Sequence, residues 1–281
     1  MSRTAALVAL HVAVALFGVA ALFGRWVELP PLEIVLGRTV VAAAALAIVL
    51  RLTRQPLVHP GFGLALNGGL LALHWVAFFA AVQLAGVAVA LLAFASFPVF
   101  VLALECLELR RLPDRVEAGA IALVVAGLAL LVPELRWSSA AVQGQAFGVA
   151  AGLTFAILTL RNRRTVTRYG AVNLALWQNA FATLWLAPFA LGGAATIVPT
   201  HADLALLVVL GVACTALAHT LFIASMRRLS AHAASVVSVL EPVYGILFAA
   251  LFIGERPDLR TLAGMVLVLS AALLATRHAN R

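Results

Sequence analysis

The stretch FPVFVLALECLELRRLPD (Phe97–Asp114) is echoed in the second half of the chain by EPVYGILFAALFIGERPD (Glu241–Asp258). Each has a Pro-Val pair in an apolar run and a Pro-Asp pair at the end of the charged turn that follows. Pro98 and Pro242 are 144 residues apart, and the two Pro-Asp pairs share that offset. A fixed offset of half the chain indicates an internal duplication.

The composition is typical of a membrane protein. Of the 281 residues, 64% are hydrophobic and 11% charged, and the mean hydropathy is +1.09; soluble domains average about 25% charged residues. All 19 basic residues are arginine and the net charge is +8. These arginines stand mostly between apolar runs, where they set topology, so we expect a lipid bilayer and no nucleic acid as partner. Cys106 and Cys214 lack CxxC or metal-ligand spacing, which predicts no disulfide, no metal and no cofactor.

Apolar runs predict ten membrane-spanning helices, since one span takes about 20 residues. The runs cover residues 4–24, 32–50, 62–84, 86–107, 117–132, 142–160, 171–191, 203–225, 231–253 and 259–276. The first run is too long for a signal peptide, and we interpret it as span 1. The joint at Leu84–Gly86 is so short that spans 3 and 4 must be antiparallel neighbours.

The distribution of arginines predicts the orientation. With the N-terminus in the cytoplasm, 14 arginines fall on the cytoplasmic side and four outside. The positive-inside rule therefore predicts a multi-pass protein of the cell inner membrane with both termini cytoplasmic.

Each half of the chain holds five spans, an odd number, so the two copies cross the membrane in opposite directions. The predicted fold is an all-α membrane protein of ten transmembrane helices, arranged as two inverted five-helix repeats over residues 1–137 and 138–281. Inverted repeats with interrupted helices at corresponding positions are typical of secondary transporters, which bind substrate near the membrane midplane.

The second half also carries a family resemblance. Its small-residue span 8, RRLSA turn, LEPV sequence in span 9 and GE turn before span 10 resemble the EamA-type repeat of the drug/metabolite transporter superfamily, and PPLEIVLGRT at span 2 is similar to the N-terminal copy. The resemblance covers nearly the whole chain. It implies a ten-helix carrier that exports amino acids, other metabolites or drugs, with the aromatic amino-acid exporters as the nearest group. The four-helix multidrug relatives carry an essential glutamate in their first span; this chain has only His11 there, so that form of proton coupling is not implied.

The repeated prolines and the neighbouring glutamate are the candidate hinge and gate. Proline removes a backbone donor and frees the carbonyl four residues back, so we predict that Pro98 and Pro242 splay spans 4 and 9 around a wet cavity. The alternative is a pair of kinks whose backbone is satisfied within the protein, with no ligand. Glu241 lies near mid-span, where a carboxylate costs on the order of 3 kcal/mol. It either titrates a proton that couples transport or accepts bonds that fix the bend, and we favour the second role.

Polar and aromatic side chains on span 3 predict a substrate site. Asn67, His74 and Phe78 are spaced seven and four residues apart and share one helical face, flanked by Trp75. Such a face suits a cavity that stacks an apolar group and bonds a polar head. The further candidates for substrate contact are Ser96, Trp177, His219, Ser238 and Tyr244.

Two other features lead to expectations. Arg38, about six residues into span 2, is expected to face an outer vestibule or to pair with Glu33 or Glu28, or alternatively to attract anions. Glycines at every fourth position from Gly144 to Gly152 predict close helix packing within the bundle.

These observations predict a monomeric secondary transporter that exports small metabolites, above all aromatic or other neutral amino acids, by alternating access. The alternatives are a multidrug carrier, a sugar or nucleotide-derivative carrier of the same fold, and a channel-like facilitator. The sequence has no HExxH, GxSxG or P-loop motif, so no enzyme is expected.

Overall fold

The computed structural model describes residues 1–131, 136–192 and 198–279, which form helices and connecting turns with no strand in those ranges. The elements are α1 (Arg3–Trp26), α2 (Pro31–Leu52), α3 (Phe62–Phe94), α4 (Phe97–Glu108), α5 (Arg115–Leu131), α6 (Ala140–Tyr169), α7 (Ala171–Gly192), α8 (His201–Gly211), a π-helical segment (Val212–Leu217), α9 (Ala218–Ser225), α10 (Ala231–Ser238), α11 (Leu240–Phe252) and α12 (Leu259–Ala279).

These elements make ten membrane-spanning helices in two inverted five-helix repeats. Spans 3 and 4 meet inside α3, span 8 runs through α8, the π-helical segment and α9, and span 9 consists of α10 and α11. Among the described residues, α1, α2, α3, α6 and the continuous stretch His201–Ser225 are each long and apolar enough to cross a membrane unaided.

The joint between spans 3 and 4 lies at Gly86, as the sequence predicts. Gly86 has a φ of 83°, in the left-handed region that glycine adopts without a steric penalty. Glu255, from the turn after α11, accepts a hydrogen bond from the Ala88 N–H through Oε1 at 3.0 Å. The GE turn of the second repeat therefore caps the helix that restarts after the joint in the first repeat.

Spans 4 and 9 are interrupted just before their Pro-Val pairs. In span 4, α3 ends at Phe94 and α4 begins at Phe97, so that Pro98 occupies the first turn of α4. In span 9, α10 ends at Ser238 and α11 begins at Leu240, which places Pro242 likewise in a first turn. A first-turn proline loses little, because its missing N–H would have no partner within the helix.

The glycine ridge of α6 brings that helix against α3 and α4. A Cβ atom at Gly144 would lie 2.5 Å from the Ala85 Cβ, and one at Gly148 would lie 2.5 Å from the Ala93 Cβ. The ridge thus packs inside the bundle as predicted, and the contact sets α3 at the centre of a continuous apolar core.

Candidate functional site

A small cavity lies at the centre of the bundle, where spans from both repeats meet. Its walls are formed by Phe17, Ala20, Arg38, His74, Trp75, Phe78, Phe94, Phe155, His219 and Glu241. The cavity volume is about 20 Å³, and about one water molecule occupies a space of that size. The site is therefore closed around its own side chains in this conformation and is too small for an amino acid.

Arg38 is the principal charged group of the cavity. It is only 1% exposed, its Nε donates to Thr215 Oγ1 at 2.9 Å, and its Nη2 donates to the Cys214 carbonyl at 3.3 Å. Its guanidinium carbon lies 3.9 Å from the centroid of the Trp75 ring. A planar, weakly hydrated guanidinium is suited to such a stacked, hydrogen-bonded position.

The π-helical segment supplies the acceptors for Arg38. The Thr215 hydroxyl donates to the Leu210 carbonyl five residues back at 2.7 Å and accepts from Arg38. Single π turns inside α-helices occur frequently at functional sites. The expectation that Arg38 faces an outer vestibule or pairs with Glu33 or Glu28 is wrong, because acceptors on span 8 and the Trp75 face hold it at the bundle centre.

His74, Trp75 and Phe78 line the cavity from α3, and their contact with substrate stays a prediction. The His74 Nδ1 donates to the Ala151 carbonyl at 2.9 Å, and the ring stacks on Phe155 at a centroid distance of 4.7 Å. The imidazole is thus fixed by α6 with one face against an aromatic ring.

His219 completes the polar wall from α9. Its Nε2 donates to Gln178 Oε1 at 2.9 Å, which leaves Nδ1 as an acceptor. That Nδ1 is buried and has no hydrogen-bond partner among the described residues. Trp75 packs edge-on against the imidazole at 5.8 Å, so His219 and Arg38 contact the same indole.

Glu241 faces the cavity from the first turn of α11. It is 4% exposed, and its Oε2 has no hydrogen-bond partner in the described part of the chain. Arg38 is a cation that acts on it electrostatically, although the guanidinium bonds are directed to span 8. The cavity therefore holds a guanidinium and a carboxyl group that the described hydrogen bonds do not join to each other.

Five of the predicted contact residues lie outside the cavity in this conformation, and three of them lie at helix breaks or in packing. The Ser96 hydroxyl donates to the Ala93 carbonyl at 2.7 Å, and the Ser238 hydroxyl donates to the Ala234 carbonyl at 3.0 Å. Tyr244 packs against α1, with its Cβ near Gly18. Both serines satisfy carbonyls at the interruptions, and their contact with substrate stays a prediction.

Trp177 and Asn67 lie toward the end of the bundle that carries the α2–α3 connection. The Trp177 indole donates to the Val58 carbonyl at 2.7 Å, so it anchors that connection and does not line the cavity. Asn173 reinforces the anchor, since its side chain accepts from the Val58 N–H at 3.0 Å and donates to the Pro56 carbonyl at 3.1 Å. Asn67 is fully buried and accepts a hydrogen bond from Arg161 Nε.

Sequence reasoning missed several cavity residues. Phe17, Phe94 and Phe155 sit among many apolar residues of their spans and carry no distinguishing pattern. Arg38 did carry a signal, because an ionisable residue well inside an apolar run marks a functional position by default.

Comparison with known proteins places this geometry in a family. The EamA-like transporter family model matches residues 4–132 and again residues 142–277. The chain is 24% identical over 286 residues to the uncharacterized transporter YxxF of Bacillus subtilis (strain 168), covering 97% of this chain and 89% of that protein.

Two further relatives are matched over part of their length. The chain is 28% identical to the uncharacterized inner membrane transporter YicL of Salmonella typhimurium, over 66% of this chain and 62% of that protein. It is 25% identical to an uncharacterized transporter of Archaeoglobus fulgidus over 57% of each chain.

A solved crystal structure superposes with a TM-score of 0.75 at 21% identity and covers 100% of both chains, which shows a shared fold. Two successive matches to one family model, spanning nearly the whole chain, agree with an internal duplication. The chain belongs to the EamA-like transporter family.

Proposed function

We propose that this protein is a secondary transporter that exports small zwitterionic metabolites, namely amino acids with aromatic or other neutral side chains, by alternating access. It is a multi-pass transporter of the family named above, and the substrate and direction are the proposal. The observation that carries it is the presence of Arg38 and Glu241 in one buried cavity walled by aromatic rings.

The two charged groups match the two ends of an amino acid. A guanidinium binds a carboxylate through two parallel hydrogen bonds, and Arg38 has this fork next to the cavity. The unpartnered Oε2 of Glu241 is an acceptor for an ammonium group. Phe78, Phe94 and Phe155 then surround the substrate side chain. A cation without a carboxylate would satisfy only half of this arrangement.

The closed cavity supports a cycle in which substrate displaces internal bonds. Arg38 is held by Thr215 and the Cys214 carbonyl, and a substrate carboxylate would compete for the same N–H groups. Expansion of the cavity requires spans 4 and 9 to move at their interruptions, with Pro98 and Pro242 as hinges and Glu241 beside the second. Interrupted helices at equivalent positions of two inverted repeats suit such a rocking motion.

The proposal includes the placement of the protein in the cell. Residues 1–137 and 138–281 form the two repeats of a monomer in the inner membrane, with both termini in the cytoplasm. The excess of arginine at the ends of α2, α4 and α6 supports this orientation.

Counterflow in proteoliposomes tests the function. Vesicles containing only this protein are preloaded with unlabelled L-phenylalanine and then given the labelled compound. We expect saturable uptake that L-leucine inhibits, whereas phenethylamine, which lacks the carboxylate, and phenylpropionate, which lacks the ammonium group, do not. Inhibition by phenethylamine alone would indicate a cation carrier, and flux that does not saturate would indicate a channel.

A further inference from the structure

A buried polar seam runs from the cavity toward the end of the bundle that carries the α2–α3 and α6–α7 connections. We define the amide seam as Asn67 of α3, Thr159 and Asn162 of α6, and Gln178 of α7. All four side chains are 0% exposed. Side chains of this kind are usually excluded from the interior of a membrane bundle unless they bond one another or serve a solute.

Hydrogen bonds connect the seam to the cavity. Gln178 accepts from His219 through Oε1 and donates through Nε2 to Asn162 Oδ1. Thr159 lies three residues before Asn162 and therefore on the same face of α6. Phe155, four residues before Thr159, is a cavity wall, so this face of α6 leads out of the cavity along the seam.

The other end of the seam approaches the surface. Asn67 accepts from Arg161, a partly exposed arginine that also donates to the Gly63 carbonyl at 3.2 Å. A Cβ at Gly68 would lie 3.0 Å from the Gln178 carbonyl, so this part of α3 packs directly against α7 at the level of Gln178. The seam thus spans the distance between a buried imidazole and an arginine at the bundle end.

The seam is not satisfied in the closed conformation. The Asn67 Nδ2, the Asn162 Nδ2 and the Thr159 Oγ1 are buried without a hydrogen-bond partner among the described residues, as is the Nδ1 of His219. Each buried polar group without a partner costs about 1–3 kcal/mol. Several such groups in one strip are hard to explain by packing, because leucine or alanine would pack there without this penalty.

The opposite half of the bundle is closed differently. There, a Cβ at Gly24 would meet the Val82 and Phe79 side chains at 2.7 and 3.0 Å, and Phe23 and Val27 are buried alongside. That closure is apolar and tight. At this contact between α1 and α3, no side-chain polar group of the described residues is left unsatisfied.

We infer that the amide seam is a second binding subsite, a closed polar access route through which a small zwitterionic or neutral polar solute passes between the cytoplasmic face and the cavity. The inference rests on the proposed function for the identity of the solute. When α7 and α9 separate, the bond between Gln178 and His219 opens, and the amides and hydroxyl of the seam replace water around the solute's polar groups.

Cysteine accessibility tests the inference in the full-length protein. Cys106 and Cys214 are replaced by alanine, and Thr159→Cys or Leu158→Cys is then introduced. Leu158 is the matched control, because it is the adjacent residue on α6, equally buried, and part of the apolar core. A hydrophilic, membrane-impermeant methanethiosulfonate carrying an ammonium group is applied to inside-out membrane vesicles, with and without L-phenylalanine, and labelling is followed by mass spectrometry.

We expect Thr159→Cys to react about ten-fold faster than Leu158→Cys, since a route that opens in each cycle exposes it far more often than local unfolding exposes its neighbour. L-Phenylalanine should slow the reaction at Thr159→Cys alone. Equal rates at the two positions would overturn the inference and show the seam to be rigid packing.

Exchange by the parent protein separates the two proposals. If L-phenylalanine is exchanged but does not slow the selective labelling, the seam is not a subsite for that solute and the inference fails alone. If no amino acid is exchanged and Thr159→Cys is still labelled selectively, the access route is supported and the amino-acid assignment fails.

Discussion

Replacing Arg38 by methionine tests the electrostatics of the cavity. The change removes a guanidinium that stacks on Trp75 at 3.9 Å and donates to Thr215 and the Cys214 carbonyl. It also leaves the buried carboxyl of Glu241 without the cation that acts on it. The two hydrogen bonds from the guanidinium are each worth about 1.5 kcal/mol or more, because the donor is charged, and a buried carboxyl left without a nearby cation adds a cost that a neutral amide does not.

We therefore expect Arg38→Met to lower the free energy of unfolding by about 3 kcal/mol. In a chain of this size that corresponds to about 6–12 °C in the thermal midpoint. The double variant with Glu241→Gln should be more stable than Arg38→Met by about 1 kcal/mol, because no uncompensated carboxylate remains. It should not recover amino-acid exchange, since both ligands of the zwitterion are gone.

Thermal unfolding in detergent, followed by tryptophan fluorescence, and counterflow in proteoliposomes measure the two quantities on the same preparations. Arg25→Met is the control, because Arg25 is an exposed arginine near the end of α1. The reasoning is refuted if Arg38→Met is as stable as the parent, or if the double variant is no more stable than the single one. It is refuted for function if the double variant still exchanges L-phenylalanine.

Three further changes test the packing and the caps by thermal unfolding. Gly148→Ala should destabilise by about 1–3 kcal/mol through overpacking against α3, whereas Gly119→Ala, which has no atom within 4 Å of the added Cβ, should not; equal effects would contradict the ridge contact. Glu255→Gln should cost about 1 kcal/mol because it weakens the cap of the helix after the α3 joint, and no change in midpoint would contradict that cap. Bonds from the Thr261 hydroxyl and N–H hold the pKa of Asp258 below its usual 3.8; this stabilisation is present above that value and lost as the pH falls through the lower folded-state pKa. Asp258→Asn should accordingly reduce the difference in midpoint between neutral pH and about pH 3, and an unchanged difference would contradict the role of this carboxylate.

The backbone plan followed from local features of the chain. The 144-residue offset between Pro98 and Pro242 predicted the two helix interruptions, and the short joint at Gly86 predicted the reversal inside α3. These features are readable because proline and glycine change the backbone at their own positions, whatever surrounds them.

The contents of the cavity were harder to predict, because they depend on which face of each helix meets which neighbour. The depth of Arg38 in span 2 was apparent, but its partners on span 8 are 176 and 177 residues away in the chain. Trp177 was predicted to contact substrate, but in the structure it lies outside the cavity. Its place in span 7 is compatible with the cavity and with the end of the bundle. The Val58 carbonyl in the α2–α3 connection accepts the indole N–H and holds the side chain at the bundle end.

The anchoring of the α2–α3 connection by Asn173 and Trp177 has a consequence for the direction of movement. Three hydrogen bonds tie a loop of the first repeat to a helix of the second. The ends of α2 and α3 at this connection are thereby joined to α7, and we expect the three helices to move together. The position at which the bundle bends must then lie elsewhere. On its other side, α7 faces α9, and there a single described hydrogen bond, from His219 to Gln178, has to break for the two helices to separate.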